Sequence, residues 1–200
     1  MSAEATALTD AAARLAQKGL LQDGDSLSVR VLGEPACWRL IQGQGGQPKK
    51  LDFASGHDDR HRSLYLDRPD LGAMLIASPS WSSALGLLSA EMPGLFDEQV
   101  RHLGRKVARL SPVALKSGDN AFLLGDSVLC LGMTLDRLIF NAELLEKCAK
   151  AFVLAHSSGL KLTRVPWWVR TIAGKRLLRD ERFAALCYGE GRKPVFKSAY

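Results

Sequence analysis

The chain has 200 residues, of which 46% are hydrophobic, a length and composition that suit one globular domain able to bury about 70% of its unfolded surface. No apolar run approaches the roughly 20 residues of a membrane-spanning helix. The formal charge of +6 is unevenly distributed, because residues 161–200 carry a net +7 and the first 160 residues a net −1. We therefore expect a main domain over residues 1–160 and a basic, Trp-containing helical extension over 161–200, packed on the same domain or on a neighbouring subunit.

The cysteines and the N-terminal residues indicate the compartment. The first residues lack the basic and apolar regions of a signal peptide. The cysteines are far apart, form no CxxC pair and lie in apolar segments, where isolated cysteines are usually small buried hydrophobes. We expect a reduced, cytoplasmic protein without disulfides or a zinc knuckle. The four cysteines are Cys37, Cys130, Cys148 and Cys187.

Apolar residues at helical spacing and short alternating runs predict the elements. In chain order they are a helix over 6–19, a strand hairpin over 27–32 and 37–41, a flexible Gly-rich connection over 43–50, a helix over 57–66, a buried strand over 72–78, a helix over 81–89, a mixed segment over 96–110, paired strands over 120–124 and 128–132, and a long helix over 135–156. Gly19 is the predicted stop of the first helix.

Three segments, in this order, resemble the class II aldolase/adducin family. Ser26-Leu-Ser-Val-Arg is similar to the family's Gly-Asn-(Ile/Leu)-Ser-Val-Arg strand. The stretch from His61 to Leu85 resembles its central helix, Arg-Pro-Asp turn and buried strand. Residues 119–136 are similar to the strand–turn–strand that enters its last core helix. The resemblance covers about residues 7–156 and implies an α/β fold of three layers, α/β/α, around a central mixed, mostly antiparallel sheet.

The resemblance also implies where a metal site would lie. In catalytic members three histidines hold zinc, which polarises a carbonyl and stabilises an enediolate. The matching positions here are Ile76, Ser78 and Asp126. Ile76 has no lone pair, and a serine hydroxyl is a poor ligand for zinc. We therefore expect no metal cofactor at this site.

The other catalytic positions of the family have changed as well. The resemblance places the acid/base glutamate near His57 and the phosphate-loop asparagine at Ser26. A second phosphate segment is kept only partly, around Ser55. Loss of the aldolase mechanism is the simplest reading of so many replacements. The residues expected to line a remaining ligand cleft are Ser26, Ser55, Ser78 and His102.

One alternative metal site is open. His57 and His61 are four residues apart, a spacing at which two imidazoles on a helix can share zinc or another divalent metal, and Asp126 would add a carboxylate. His57 and Asp126 are accordingly the weak catalytic candidates. The other interpretation, which we favour, is a solvated first helical turn in which Asp58 and Asp59 interact well with the helix N-terminus.

The C-terminal segment 165–188 predicts a basic helix that begins at Pro166. Its predicted apolar stripe contains Trp168, Ile172, Leu178 and Phe183. We favour packing on the subunit's own core or on a neighbouring subunit, with at least one of Trp167 and Trp168 covered. Binding to another protein or an acidic ligand comes next, and contact with an anionic membrane surface is less favoured. No nucleic acid is expected, because no recognised binding motif accompanies the charge.

Together these patterns predict a catalytically inactive class II aldolase/adducin-like protein that acts as a homo-oligomeric binding or scaffold protein. Tetramers are implied by the resemblance. The alternative is a divalent-metal-dependent enzyme, an aldehyde-lyase-type carbon–carbon lyase or an epimerase. Its substrate would be a small hydroxylated or keto compound, phosphorylated or not, and its metal would be held by His57, His61 and Asp126.

Overall fold

The computed structural model describes residues 2–45, 47–55, 59–88 and 91–196. These residues form a mixed sheet of eight strands. The strands are β1 (Ser26–Arg30), β2 (Ala36–Ile41), β3 (Lys49–Asp52), β4 (Ala73–Ala77), β5 (Met92–Pro93), β6 (Lys106–Arg109), β7 (Ala121–Leu124) and β8 (Ser127–Gly132). Their spatial order is β3-β2-β1-β4-β8-β7-β6-β5. The β6–β7 pair is parallel and the other described pairs are antiparallel, as predicted for a mixed, mostly antiparallel sheet.

Seven helices lie among the described residues. They are α1 (Ala3–Gln17), α2 (Arg60–Asp67), α3 (Ser80–Leu87), α4 (Asp97–His102), α5 (Pro112–Leu115), α6 (Leu135–Ser157) and α7 (Trp167–Gly189). Side-chain oxygens of Ser2, Asp59, Ser111 and Thr134 accept backbone N–H groups at the starts of α1, α2, α5 and α6. These bonds satisfy donors that a helix leaves unpaired at its first turn.

The sheet is covered on both faces, which confirms the predicted three-layer α/β/α fold. One apolar cluster joins α1, α3 and α6 to the sheet, and a second joins α2 and α5 to its other face. Strand β4 shows how the two are separated, because successive side chains of a strand point to opposite faces. Leu75 belongs to the first cluster, whereas Met74 belongs to the second and the half-buried Ile76 packs against that second cluster. The Ile76 side chain therefore lies on the α2 face.

Most predicted elements are confirmed with boundary shifts of a few residues. The first helix starts three residues earlier than predicted because Ser2 caps it, and Gly19 follows its end with φ +69°. The prediction of a flexible connection over 43–50 is wrong at its end, since Lys49–Asp52 forms β3 and pairs with β2. Two of the four residues of this edge strand are lysines and one is an aspartate, so the segment lacks the apolar pattern that predicts a strand. The predicted helix over 57–66 begins at Arg60; residues 56–58 lie outside the described residues.

All four cysteine thiols are free and buried, as expected for small hydrophobic side chains in apolar segments. No helix in the described part of the chain is long and apolar enough to cross a membrane.

The predicted stripe of α7 is wrong, although the helix itself is confirmed. Pro166 lies just before the helix, and α7 turns a different face inward. Trp168 and Ile172 are 55% and 49% exposed, and Trp167 is 71% exposed. The buried residues are Ala173, Gly174, Leu177, Asp180, Glu181, Ala184 and Cys187. Small side chains allow close packing, and the buried Arg68 and the half-buried Arg101 bind Glu181 and Asp180. Neither tryptophan is covered within the subunit, so coverage by a neighbouring subunit stays a prediction.

Candidate functional site

A largely buried chain of hydrogen bonds lies between β1 and α2. Ser26 and Ser28 are two residues apart on β1, so both side chains point toward α2. His61 is only 3% exposed on the first turn of α2. Its Nε2 lies 2.8 Å from Ser26 Oγ and its Nδ1 lies 2.7 Å from Ser28 Oγ. Tyr65, one turn further along α2, places its hydroxyl 3.1 Å from Ser28 Oγ. We call these four residues the hydroxyl–imidazole chain.

The imidazole of His61 is neutral at pH 7. Burial lowers its pKa to about 4, and the nearby Asp59 carboxylate opposes this only in part. In a neutral imidazole one ring nitrogen donates and the other accepts, and here a serine hydroxyl engages each of them. Asp59 also accepts the His61 backbone N–H at 2.9 Å and forms an ion pair with Arg39. The ring is therefore fixed on both sides, with no nitrogen left for a further ligand.

The three family ligand positions do not provide a zinc-binding donor set. Ile76 is paired in register with Ser26 on β1 and with Leu129 on β8, and packs in the apolar cluster on the α2 face. Ser78 follows β4, and its carbonyl accepts a hydrogen bond from Gln22 Nε2 at 3.2 Å. Asp126 is exposed in the β7–β8 turn. One carboxylate among three positions does not meet the four-coordinate preference of zinc.

Two of the three alternative metal ligands lie among the described residues. His57 lies outside the described residues, His61 belongs to the hydroxyl–imidazole chain, and Asp126 lies in its exposed turn. Among residues 2–45, 47–55, 59–88 and 91–196, no group of three or more His, Cys, Asp or Glu is arranged to hold a metal ion.

The predicted ligand-cleft residues are spread over both faces of the sheet. Ser55 is exposed after β3, where its hydroxyl donates to the Asp52 carbonyl at 2.7 Å. His102 contacts Arg137 at 3.0 Å and the ring of Phe140 on α6. Burial and the Arg137 charge lower the pKa of His102 to about 4. His102 thus lies beside α6, whereas Ser26 faces α2.

A second polar cluster, which the sequence analysis did not identify, joins α7 to the turn between α2 and β4. Arg68 is 6% exposed and makes two parallel hydrogen bonds of 2.8 Å to Asp70. Its guanidinium also donates to Glu181 Oε1 at 3.1 Å, to Asn120 Oδ1 at 3.0 Å and to two backbone carbonyls. Arg68, Asp70, Asn120 and Glu181 are called the Arg68 cluster below.

Charge is unequally distributed within the Arg68 cluster. Burial raises the pKa of Glu181 to about 8. The charge of Arg68 lowers this pKa in part, and the nearby Asp70 raises it. Asp70 holds the guanidinium in the bidentate geometry that carboxylates prefer. Glu181 is therefore the protonated partner at neutral pH. The cluster ties α7 to the α2–β4 turn, and Asn120 Nδ2 also donates to the backbone carbonyl of His102 at 3.2 Å.

Solved structures share this arrangement of layers and strands. An L-fuculose 1-phosphate aldolase superposes with a TM-score of 0.75 and 18% identity, over 89% of this chain and 98% of that chain. The chain has the class II aldolase fold. The L-fuculose 1-phosphate aldolase from Glaciozyma antarctica PI12 gives 0.70 at 16% identity, over 96% and 92% of the two chains. YgbL from Escherichia coli, a putative aldolase/epimerase/decarboxylase, gives 0.65 at 18%, over 84% and 96%.

Sequence comparison adds nothing to this structural likeness. No protein-family model and no curated protein matches the chain. The likeness is therefore one of fold, and the chemistry has to be argued from the residues present.

Proposed function

We propose that the protein is a catalytically inactive protein of the class II aldolase fold that acts as an oligomeric binding or scaffold protein. The observation that carries the proposal is Ile76, an aliphatic side chain packed on β4 at a position where the family's enzymes place a metal ligand. The hydroxyl–imidazole chain supports it, because the nearby histidine is already bound on both sides.

The ionisable groups of the hydroxyl–imidazole chain, His61 and Tyr65, are poorly suited to proton transfer at neutral pH. A general base works best when its pKa lies near the working pH. His61 has a pKa of about 4, and burial raises the pKa of Tyr65 well above its ordinary value. The first is a weak base and the second a weak acid. We therefore assign the hydroxyl–imidazole chain to holding α2 on β1.

Assembly into a homo-oligomer, a tetramer by family resemblance, is the second part of the proposal. Trp167, Trp168 and Ile172 form an exposed apolar group at the start of α7, which a neighbouring subunit would cover. The alternative function, a metal-dependent lyase or epimerase, requires His61 to leave at least one serine and join His57 and Asp126.

The metal content of the purified protein tests the proposal. We expect substoichiometric zinc after purification without added metal, and no saturable zinc binding by calorimetry. His57→Ala is the diagnostic variant, and His156→Ala, which removes an exposed histidine, is its control. Stoichiometric zinc that His57→Ala abolishes and His156→Ala leaves intact would establish the alternative and refute the proposal.

Substitution of Ile76 tests whether the site is latent. Ile76→His is expected to lower the free energy of unfolding by about 1–3 kcal/mol, because it replaces a half-buried aliphatic side chain that packs against an apolar cluster by a polar ring without an assured partner. Ile76→Val is the control and should cost about 0.5–1.5 kcal/mol. Urea unfolding with and without zinc measures both. A histidine variant as stable as the parent that binds zinc tightly would show that the site can be restored.

A further inference from the structure

A basic cleft lies at the other end of the sheet from the hydroxyl–imidazole chain. It has a volume of about 580 Å³ and is formed by β5, β6, α5 and the start of α7. Strand β6 is four positions from β1 in the sheet, a separation of roughly 19 Å at the usual strand spacing. The charged residues that line the cleft are Glu91, Arg105, Lys106, Arg109, Asp119, Arg164 and Arg170.

Both carboxylates of the cleft are already engaged. Glu91 forms an ion pair with Lys106 at 2.7 Å. Asp119 accepts the backbone N–H of Arg105 at 2.7 Å and the hydroxyl of Ser117 at 2.8 Å. In the part of the chain that the structure describes, no carboxylate lies within ion-pair distance of the four cleft arginines, Arg105, Arg109, Arg164 and Arg170.

The packing of the start of α7 beside β5 brings arginine side chains into the cleft. The backbone N–H of Val165 donates to the Gly94 carbonyl at 3.0 Å and fixes the start of α7 against β5. A Cβ atom at Gly94 would lie 3.9 Å from Arg170 Cδ, and one at Gly174 would lie 3.7 Å from Arg105 Nε. Arg170 of α7 thus lies beside Gly94, and Arg105 lies beside Gly174 of α7. The Nε of Arg170 is buried and has no hydrogen-bond acceptor among the described residues.

We propose that this cleft binds a small molecule that carries two or more phosphate groups. A cleft lined by one sign of charge raises the local concentration of counter-ions. The planar guanidinium group of arginine matches phosphate oxygens in a bidentate geometry, and four arginines line this cleft. The volume lies within the range of small-molecule sites, roughly 300–1,000 Å³. The inference goes beyond the proposed function, because the cleft shares no residue with the family metal positions.

Calorimetry with inorganic pyrophosphate at physiological salt tests the proposal. The diagnostic variant is Arg109→Gln with Arg164→Gln, and both side chains are exposed, so folding is not expected to suffer. Arg176→Gln with Arg182→Gln is the matched control, since it removes the same charge from exposed positions of α7 outside the cleft. We expect saturable binding by the parent, a Kd about tenfold or more higher in the cleft variant, and a control within about twofold of the parent.

Three results would overturn the proposal. One is the absence of saturable pyrophosphate binding by the parent. Another is equal weakening in the cleft and control variants, which would show a response to net charge alone. The third is a single-stranded oligonucleotide that displaces pyrophosphate and binds far more tightly through the same arginines, because the cleft would then belong to a nucleic-acid surface.

Discussion

Replacing Arg68 by leucine is expected to lower the free energy of unfolding by about 3–5 kcal/mol, the cost of removing one partner from a buried ion pair. The variant leaves the Asp70 carboxylate buried without its two guanidinium hydrogen bonds. It also removes the donors from the carbonyls of Leu115 and Asp119. Urea unfolding at pH 7 measures the loss.

Glu181→Gln is the matched control, and it also reports the protonation of the cluster. Because burial raises the folded-state pKa of Glu181 from an ordinary 4.5 to about 8, its contribution to stability is complete below about pH 4.5 and is lost as the pH rises through 8. The parent should therefore lose up to about 1.4 kcal/mol per pH unit in this window relative to Glu181→Gln. At pH 5 the two proteins should be similar. A glutamine variant as damaged as Arg68→Leu at pH 7 would show instead that Glu181 is ionised.

Truncation after Thr163 is expected to lower the Tm by at least about 10 °C, since a loss of several kcal/mol shifts a protein of this size by roughly 2–4 °C per kcal/mol. The truncation removes the Glu181 and Asp180 contacts with buried or half-buried arginines. It also removes the Tyr188 hydroxyl, which donates to the Met133 carbonyl at 2.7 Å. The apolar contact of Leu177 and Ala184 with Met133 is lost as well. Thermal unfolding and light scattering measure stability and mass.

Point variants separate the structural role of α7 from a role in assembly. Leu177→Ala should lower the free energy of unfolding by about 2–5 kcal/mol. This variant also tests whether α7 stabilises the subunit if the truncated chain does not fold. Trp167→Ser with Trp168→Ser should leave the Tm of the subunit nearly unchanged, because both rings are exposed, while reducing the mass if a neighbouring subunit covers them. A truncated protein with the parent's Tm and mass would mean that α7 is an independent arm.

The sequence was most informative where the apolar pattern is simple. Strand β4 is an uninterrupted apolar run, helix α6 carries apolar residues at helical spacing, and the family-like segments around them appear in the right order. These elements fix the fold class. They also place the Ile76 side chain on the α2 face, since successive side chains of β4 point to opposite faces of the sheet.

The site and the C-terminal helix depend on contacts that no local pattern contains. His61 is held by serines more than 30 residues earlier, and this contact exists only when α2 lies on β1. Glu181 meets Arg68 across 113 residues. The apolar stripe of α7 was assigned to the wrong face because hydrophobicity alone does not predict that a helix buries two carboxylates and small residues. The one available signal was the pair Asp180-Glu181 within a basic segment.

The protonated state of Glu181 determines how α7 responds to solvent. With Glu181 neutral, the Arg68 cluster pairs one guanidinium with the Asp70 carboxylate and is shielded from water. Dissolved ions screen exposed charges strongly and buried pairs only weakly. The contact of α7 with the α2–β4 turn is therefore insensitive to ionic strength, unlike surface pairs such as Lys50–Glu34. Raising the pH from about 4.5 to 8 weakens the same contact, because the Glu181 carboxyl ionises more readily in the unfolded chain than in this buried cluster.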